Sequence, residues 1–96
     1  MFSWDVRKAL KNSKKHGVPF EEASTIFSDP DGLDWEDFEH AHAEPRWKRL
    51  GLSRVGRVLL VVYTLRRLKN GTETIRLISA RQASRKERKA YAGQPD

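Results

Sequence analysis

The stretch RVLLVVYTLRRLKNGTETIRLISAR, residues 57–81, contains the longest apolar run of the chain. Its first part, RVLLVVYTLRR, is rich in β-branched residues and has an unbroken apolar run, which favours a central strand covered on both faces. Asn70 and Gly71 accept positive φ, so KNG predicts a hairpin turn into a second strand, TETIRLIS. The stretch therefore predicts two antiparallel strands in the middle of a sheet.

Two helices and two further strands are predicted before this hairpin. The first helix covers residues 6–16, because Ser3 or Asp5 can cap its start and Gly17 can end it in the left-handed conformation. The residues expected to form its apolar stripe are Val6, Ala9 and Leu10. PFEEASTIFSD predicts a second, shorter helix. LDWEDF then predicts an edge strand and RWKRLGLS another strand.

The segment ASRKERKAY predicts a short basic helix near the end of the chain. Together the elements predict an α+β fold with two N-terminal helices packed on a four-stranded, mainly antiparallel sheet. Ninety-six residues with 38% hydrophobic content fit one globular domain, residues 1–96. The absence of cysteine excludes disulfides, a thiolate zinc site and a catalytic thiol. The longest apolar run is too short to span a bilayer and no signal-peptide pattern is present, so we expect a cytoplasmic protein.

The charge is distributed unevenly along the chain. Residues 1–44 contain 5 Lys+Arg and 10 Asp+Glu, whereas residues 45–96 contain 14 and 3, so the parts carry net charges of −5 and +11. Most cations of the second part are arginines, whose planar guanidinium matches phosphate oxygens. This asymmetry favours a surface that binds a polyanion such as RNA, with an ordinary solvated surface as the alternative.

Three stretches resemble motifs of one known family. FSWDVRKALKNSKKHGVPFEEASTIFSD, GLSRVGRVLLVVYT and IRLISARQASRKERKAY are similar, in this order, to the BrnT toxins of bacterial type II toxin–antitoxin systems. The resemblance implies a RelE-like fold and a ribonuclease that inhibits translation. It also implies a BrnA-like antitoxin with a ribbon-helix-helix region, through which alone DNA would be contacted. Two features depart from the family pattern, Pro19 at a position where serine is expected and the looser stretch DFEHAHAEPRW.

Metal-free RNA cleavage uses the neighbouring 2′-hydroxyl as the nucleophile. The protein then supplies a proton acceptor, a proton donor and cations that stabilise the phosphorane, without a metal or other cofactor. The arginines expected to supply positive charge are Arg46, Arg49, Arg57, Arg76 and Arg81. Arginine stays protonated, so the acid and base must be other residues.

His40, His42 and Glu44 alternate just before the basic part of the chain. In an extended segment they would project to one side, beside Arg46. We therefore expect His42 and Glu44 to take part in catalysis. A zinc site is a weaker reading because the spacing lacks a helical ligand pattern, and a loop without chemistry is the other alternative.

The strand TIRLISAR carries three more residues that we predict to be catalytic, Arg76, Ser79 and Arg81. Alternate residues of a regular strand share a face, so regular alternation would separate these three. One face would carry Ile75, Leu77, Ser79 and Arg81. The opposite face would then carry Arg76, Ile78 and Ala80. Burying the guanidinium of Arg76 between apolar neighbours costs free energy unless the group reaches water, a carboxylate or a ligand. Tyr63 is predicted to stack on an RNA base, with core packing as its alternative.

Three functions fit the sequence. The first is a metal-independent endoribonuclease toxin that a cognate antitoxin neutralises. The second is a noncatalytic RNA- or ribosome-binding module, and the third is a protein-interaction subunit whose basic face docks an acidic partner. The sequence does not separate these three.

Overall fold

The computed structural model describes residues 1–40 and 43–93. Its elements are, in chain order, β1 (Phe2–Ser3), α1 (Val6–His16), α2 (Phe20–Ser24), a 3-10 turn (Thr25–Ser28), β2 (Leu33–Asp37), β3 (Arg46–Leu52), β4 (Val58–Arg67), β5 (Glu73–Gln82) and α3 (Arg85–Tyr91). The strands form one sheet in the order β1-β5-β4-β3-β2. All neighbouring strands are antiparallel except β1, which runs parallel to β5. The predicted α+β fold is confirmed, with one strand more than expected.

The additional strand, β1, is two residues long and therefore shows no alternation from which it could be predicted. Phe2 and Ser3 pair with Ile75 and Arg76, and the Ile75 amide donates to the Met1 carbonyl over 2.9 Å. The pairing covers only the start of β5. From Leu77 onward, the outer side of β5 is a sheet edge whose backbone groups need other partners.

The bounds of α1 agree with the prediction, and the caps explain them. The Asp5 carboxylate accepts a hydrogen bond from the Lys8 amide, and Gly17 ends the helix with φ 69°. Within the described residues no helix is both long and apolar enough to cross a membrane. The predicted apolar stripe, however, is wrong, because Val6 is 67% exposed and Leu10 is 61% exposed.

The buried residue of α1 is Asn12, which docks the helix against the free edge of β5. Its side-chain Nδ2 donates to the Ala80 carbonyl over 2.8 Å and to the Val18 carbonyl over 3.1 Å. Its Oδ1 accepts from the Ala80 amide over 3.0 Å. The amide of Asn12 thus replaces the strand that β5 lacks at this point, which a search for apolar periodicity does not detect.

The main core lies between the helices and one face of the sheet. The residues buried there are Val18, Phe20, Ala23, Ile26, Leu59, Val61, Tyr63, Leu77 and Ala80. Aromatic rings contact one another edge to face, with centroids 5.9 Å apart for Trp4 and Phe20 and 5.0 Å apart for Phe27 and Tyr63. This packing defines the helix-covered face of the sheet.

The opposite face of the sheet is covered only at one end. There α3 and the residue before its cap bring Tyr91 and Ala83 against Leu50, Leu60 and Val58. Beyond this small cluster the face is accessible, and we call the uncovered part the open sheet face. Its residues come from β2 to β5 and extend from the ends of these strands that lie away from α3 up to Leu60 and Arg81, next to α3.

We expect Asn12→Ala to destabilise the protein far more than Leu10→Ala, although leucine is the more apolar residue. The first change leaves buried backbone groups of Ala80 and Val18 without partners, which costs about 2–3 kcal/mol. The second removes an exposed side chain and should change the free energy of unfolding by less than about 0.5 kcal/mol. Urea unfolding of both variants measures the difference. A larger loss for Leu10→Ala would contradict this account of α1.

Candidate functional site

An extra residue in β5 determines which side chains share the open sheet face. Val62 pairs with Ser79 and Tyr63 pairs with Leu77, so Ile78 has no partner across the strands. Such a bulge shifts the alternation of the strand by one residue. The predicted separation of Arg76 from Ser79 and Arg81 is therefore wrong.

With the bulge in place, Leu77 and Ala80 both face the helix-covered core. Arg76, Ser79 and Arg81 all line cavities on the open sheet face. The strand would have directed them to different sides without the bulge. All three predicted catalytic residues of β5 thus lie on one surface.

Two adjoining cavities form the open sheet face. The smaller, of about 80 Å³, is lined by Asp5, Lys8, Glu44, Arg46, Thr64, Arg66, Arg76, Leu77 and Ile78. The larger, of about 260 Å³, is lined by Asp37, His40, Arg46, Lys48, Leu60, Val62, Ile78, Ser79 and Arg81. Arg46 and Ile78 border both, so the cavities are continuous. Cations outnumber carboxylates in each, which suits a phosphate-bearing ligand.

The positive charges of Arg46 and Arg76 on this surface are not paired with a carboxylate of the described residues. Neither forms an ion pair with a carboxylate of residues 1–40 or 43–93. Arg76 makes one long contact, 3.5 Å from its Nη1 to the Ser3 hydroxyl. The hydrogen bond from the Lys8 amide lowers the pKa of Asp5, and the charge of Arg76 adds to this effect. Both guanidinium groups therefore have donors available for an anion.

His40 and Asp37 form a hydrogen-bonded pair at the edge of the larger cavity. The Nδ1 of His40 lies 3.0 Å from Asp37 Oδ2 and 3.2 Å from Oδ1. Burial alone would raise the pKa of Asp37, but the His40 hydrogen bond and the charge of Lys48, 3.8 Å away, hold it below its usual value. An ionised carboxylate only accepts, so the proton of the pair sits on Nδ1 and leaves Nε2 free.

His40 was not among the residues predicted to be catalytic. The signal that would have found it is the spacing of Asp37 and His40, three residues apart at the end of a strand, where one turn joins them. His42, which was selected, lies outside the described residues. Glu44 lines the smaller cavity, and its Oε1 accepts from Arg66 Nη2 over 2.9 Å.

Arg81 is held by a carboxylate of α3. Its Nη1 and Nη2 donate to the two oxygens of Glu87 over 2.7 and 2.9 Å. This contact lowers the pKa of Glu87 to about 2 and raises that of Arg81. Glu87 also accepts from the Ser84 amide over 2.8 Å and completes a capping box at the start of α3. Arg81 is thus fixed in direction, and part of its charge is neutralised.

Arg49 and Arg57, both predicted to bind RNA, lie away from the open sheet face. Arg49 donates to the carbonyls of Ile26 and Asp29 over 3.2 and 2.7 Å, and it also pairs with Asp34. Arg57 donates to Glu22 over 2.5 and 2.9 Å and to the Gly17 carbonyl over 3.0 Å.

These contacts join the strands to α2, to the 3-10 turn and to the ends of the helices. Tyr63, also predicted to bind RNA, is only 7% exposed, and its hydroxyl donates to Asp34 over 2.6 Å. Burial is the first cause that raises the pKa of Tyr63, and the Asp34 bond adds to it. The structure gives Arg49, Arg57 and Tyr63 structural contacts, and their binding to RNA stays a prediction.

A family model and a solved structure match the chain. The family model described as "Ribonuclease toxin, BrnT, of type II toxin-antitoxin system" matches residues 4–87. The crystal structure of the Brucella abortus ribonuclease toxin BrnT is similar with a TM-score of 0.63 and 23% sequence identity. The match covers 88% of this chain and 99% of that chain, and at this identity it shows the fold alone. No curated protein matches the chain significantly.

The pair of Arg81 and Glu87 should make stability depend on pH. Because the folded pKa of Glu87 is lower than its usual 4.5, the pair stabilises the fold above that pH. The stabilisation disappears as the pH falls toward about 2. We expect Glu87→Gln to cost about 1 kcal/mol at pH 7 and progressively less as the pH falls through this range.

Urea unfolding at a series of pH values measures this difference. The matched control is Glu73→Gln, because Glu73 contacts Arg67 only over 3.8 Å in a highly exposed pair. It should leave the stability unchanged. A cost of Glu87→Gln that stayed constant down to pH 3 would refute the assigned pair.

Proposed function

Because the chain belongs to the BrnT family of ribonuclease toxins of type II toxin–antitoxin systems, we propose that its open sheet face cleaves RNA without a metal ion. Cleavage of RNA in the cytoplasm would inhibit translation, and one toxin domain over residues 1–96 would carry the activity. The observation that supports this site best is the bulge at Ile78, which gathers Arg76, Ser79 and Arg81 on the surface that also holds Arg46.

The arginines supply the electrostatic part of the proposed reaction. When the 2′-hydroxyl attacks the adjacent phosphorus, the phosphorane gains negative charge, which cations already in place stabilise. Arg46 and Arg76 face the same cavity and have no described carboxylate as an ion-pair partner. Arg81 and the Ser79 hydroxyl line the neighbouring cavity and would orient the phosphate. The charge is thus available without a metal ion.

Proton transfer is assigned to Glu44 and His40. The Glu44 carboxylate would accept the proton of the 2′-hydroxyl as the 2′-oxygen bonds to phosphorus. As the bond from phosphorus to the 5′-oxygen breaks, Nε2 of a protonated His40 would give that oxygen a proton. The products are a 2′,3′-cyclic phosphate and a 5′-hydroxyl. Asp37 supports this role because its carboxylate accepts a hydrogen bond from Nδ1 and leaves Nε2 free. A role for His42 stays an untested prediction.

Membership of the family implies a cognate antitoxin as well as an RNA substrate. We propose that this antitoxin resembles BrnA, with a ribbon-helix-helix region that contacts DNA. The toxin itself would then reach DNA only through its partner. Neutralisation requires the antitoxin to cover the open sheet face or to block access to it.

The direct test is cleavage of a purified single-stranded RNA in a buffer that contains EDTA. We expect cleavage at the same rate with and without the chelator, and products that end in a 2′,3′-cyclic phosphate. The physical reason is that arginines and the pair of Glu44 and His40 supply all the groups that the reaction needs. Activity that vanished with EDTA and returned with magnesium or zinc would overturn the metal-independent mechanism.

Two variants locate the activity on the protein. Arg76→Ala should lower the rate on the order of 100-fold, because it removes a donor to developing charge. Arg85→Ala removes the same side chain from α3, outside both cavities, and should cleave at nearly the wild-type rate. Circular dichroism confirms that each variant is folded. RNA that both the wild type and Arg85→Ala bound but left intact would indicate the noncatalytic binding module instead.

The proton-transfer roles predict that Glu44 and His40 are each needed for cleavage. Glu44→Gln removes the proton acceptor and His40→Gln removes the proton donor, so each should lower the rate by about 100-fold or more. Phe38→Ala, in the same exposed segment as His40, serves as the control. A wild-type cleavage rate for folded His40→Gln would exclude His40 as the acid.

A further inference from the structure

A row of lysines lies on α1 beside the open sheet face. Lys8, Lys11 and Lys15 are spaced by three and four residues, which places them along one side of the helix. They line a groove of about 240 Å³ together with Asn12, His16, Ile78 and Ser79. We call this depression between α1 and the bulge of β5 the lysine groove.

The lysine groove is continuous with the proposed site of RNA cleavage. Ile78 and Ser79 border both the groove and the larger cavity of the open sheet face. Lys8 also lines the smaller cavity, with Arg76. The positive surface therefore passes around the free edge of β5, where Asn12 holds the helix close to the strand.

The charge of this helix is not balanced nearby. The sequence of α1 contains five cations and no carboxylate. Lys11 and Lys15 are exposed and form no ion pair with any carboxylate of the described residues. Mutual repulsion of such a row disfavours the folded helix unless an anion occupies it. Residues 1–44 as a whole contain more carboxylates than cations, so their net charge does not indicate the positive charge of α1.

We propose that the lysine groove binds the phosphate backbone of the RNA strand that extends from the open sheet face. This inference rests on the proposed function and specifies its substrate as a single strand long enough to contact both surfaces. From Lys8 to Lys15 the helix rises roughly 10 Å, enough for about two successive phosphates of a strand. Lysine ammonium groups bind phosphate as point charges, so the groove adds affinity and direction without base preference.

The test compares two double variants of α1 that remove equal charge. Lys11→Gln/Lys15→Gln removes two cationic side chains that line the groove but neither cavity of the open sheet face. The matched control is Arg7→Gln/Lys14→Gln, whose side chains are exposed on the same helix but do not line the groove. Thermal melting establishes that both proteins are folded.

Binding is measured with a 15-nucleotide single-stranded RNA whose 2′-hydroxyls are methylated, so that it resists cleavage, over a series of salt concentrations. For the Lys11/Lys15 variant we expect affinity to fall on the order of tenfold and the salt slope to fall by about 1.4, because each phosphate contact contributes about 0.7. The control pair should change affinity by less than about twofold. Cleavage of a four-nucleotide RNA should proceed at the wild-type rate in both variants.

The other outcomes are distinct. Equal losses in the two double variants, or no loss in either, overturn the groove and leave the proposed function intact. Selective loss of affinity for the purified cognate antitoxin, with RNA binding unchanged, also overturns it and identifies the groove as a protein-docking surface. Failure of the wild type to cut the four-nucleotide RNA or a long RNA refutes the proposed catalysis alone, since strand binding is measured separately.

Discussion

The Asn12 side chain forms hydrogen bonds with both backbone groups of Ala80 and thereby holds α1 against β5. They lie two residues beyond the bulge at Ile78, on an edge of β5 that no strand covers. The same amide also binds the Val18 carbonyl after the end of α1. Helix position, strand register and the direction of Ser79 and Arg81 are therefore coupled through one side chain.

Arginine has two different uses in this chain, and exposure to the open sheet face distinguishes them. Arg49 and Arg57 donate hydrogen bonds to carbonyls and carboxylates of the helices and the connecting turn. Arg46 and Arg76 instead line cavities and keep donors for an external anion. Arg81 lies between these cases, because Glu87 orients it while leaving its Nε–H without a protein acceptor among the described residues. Net charge alone does not separate these roles.

Local signals in the sequence were sufficient for much of the fold. The caps of α1 gave both of its ends, and the turn at Asn70 and Gly71 gave the central hairpin. These features depend on a few neighbouring residues, whose backbone preferences are strong. The two-residue strand β1 and the role of Asn12 depend on partners more than 60 residues away. No local pattern encodes such pairings, so apolar periodicity wrongly assigned Val6 and Leu10 to the core.

The sequence also left part of the candidate site undetermined. It indicated which residue types could form the site, but it did not indicate which face of the sheet their side chains occupy. Arg76, Ser79 and Arg81 lie on one strand, as predicted, but the unpaired residue Ile78 places all three on the same face, whereas regular alternation predicted Arg76 opposite Ser79 and Arg81. Their part in catalysis stays a prediction. His40 is a candidate because of its hydrogen bond to Asp37, which the structure shows and the sequence does not.

The pairing of β1 with β5 has a consequence for the order of events during synthesis. Ser3 leaves the ribosome before its partner Arg76, which follows 73 residues later in the chain. Contacts between such distant segments form late, because a long loop must close before they contribute stability. Until β5 has been synthesised, Phe2 and Ser3 lack the strand with which they pair. The surface that carries Arg76, Ser79 and Arg81 therefore cannot assemble before residues 73–82 have followed the two helices out of the ribosome.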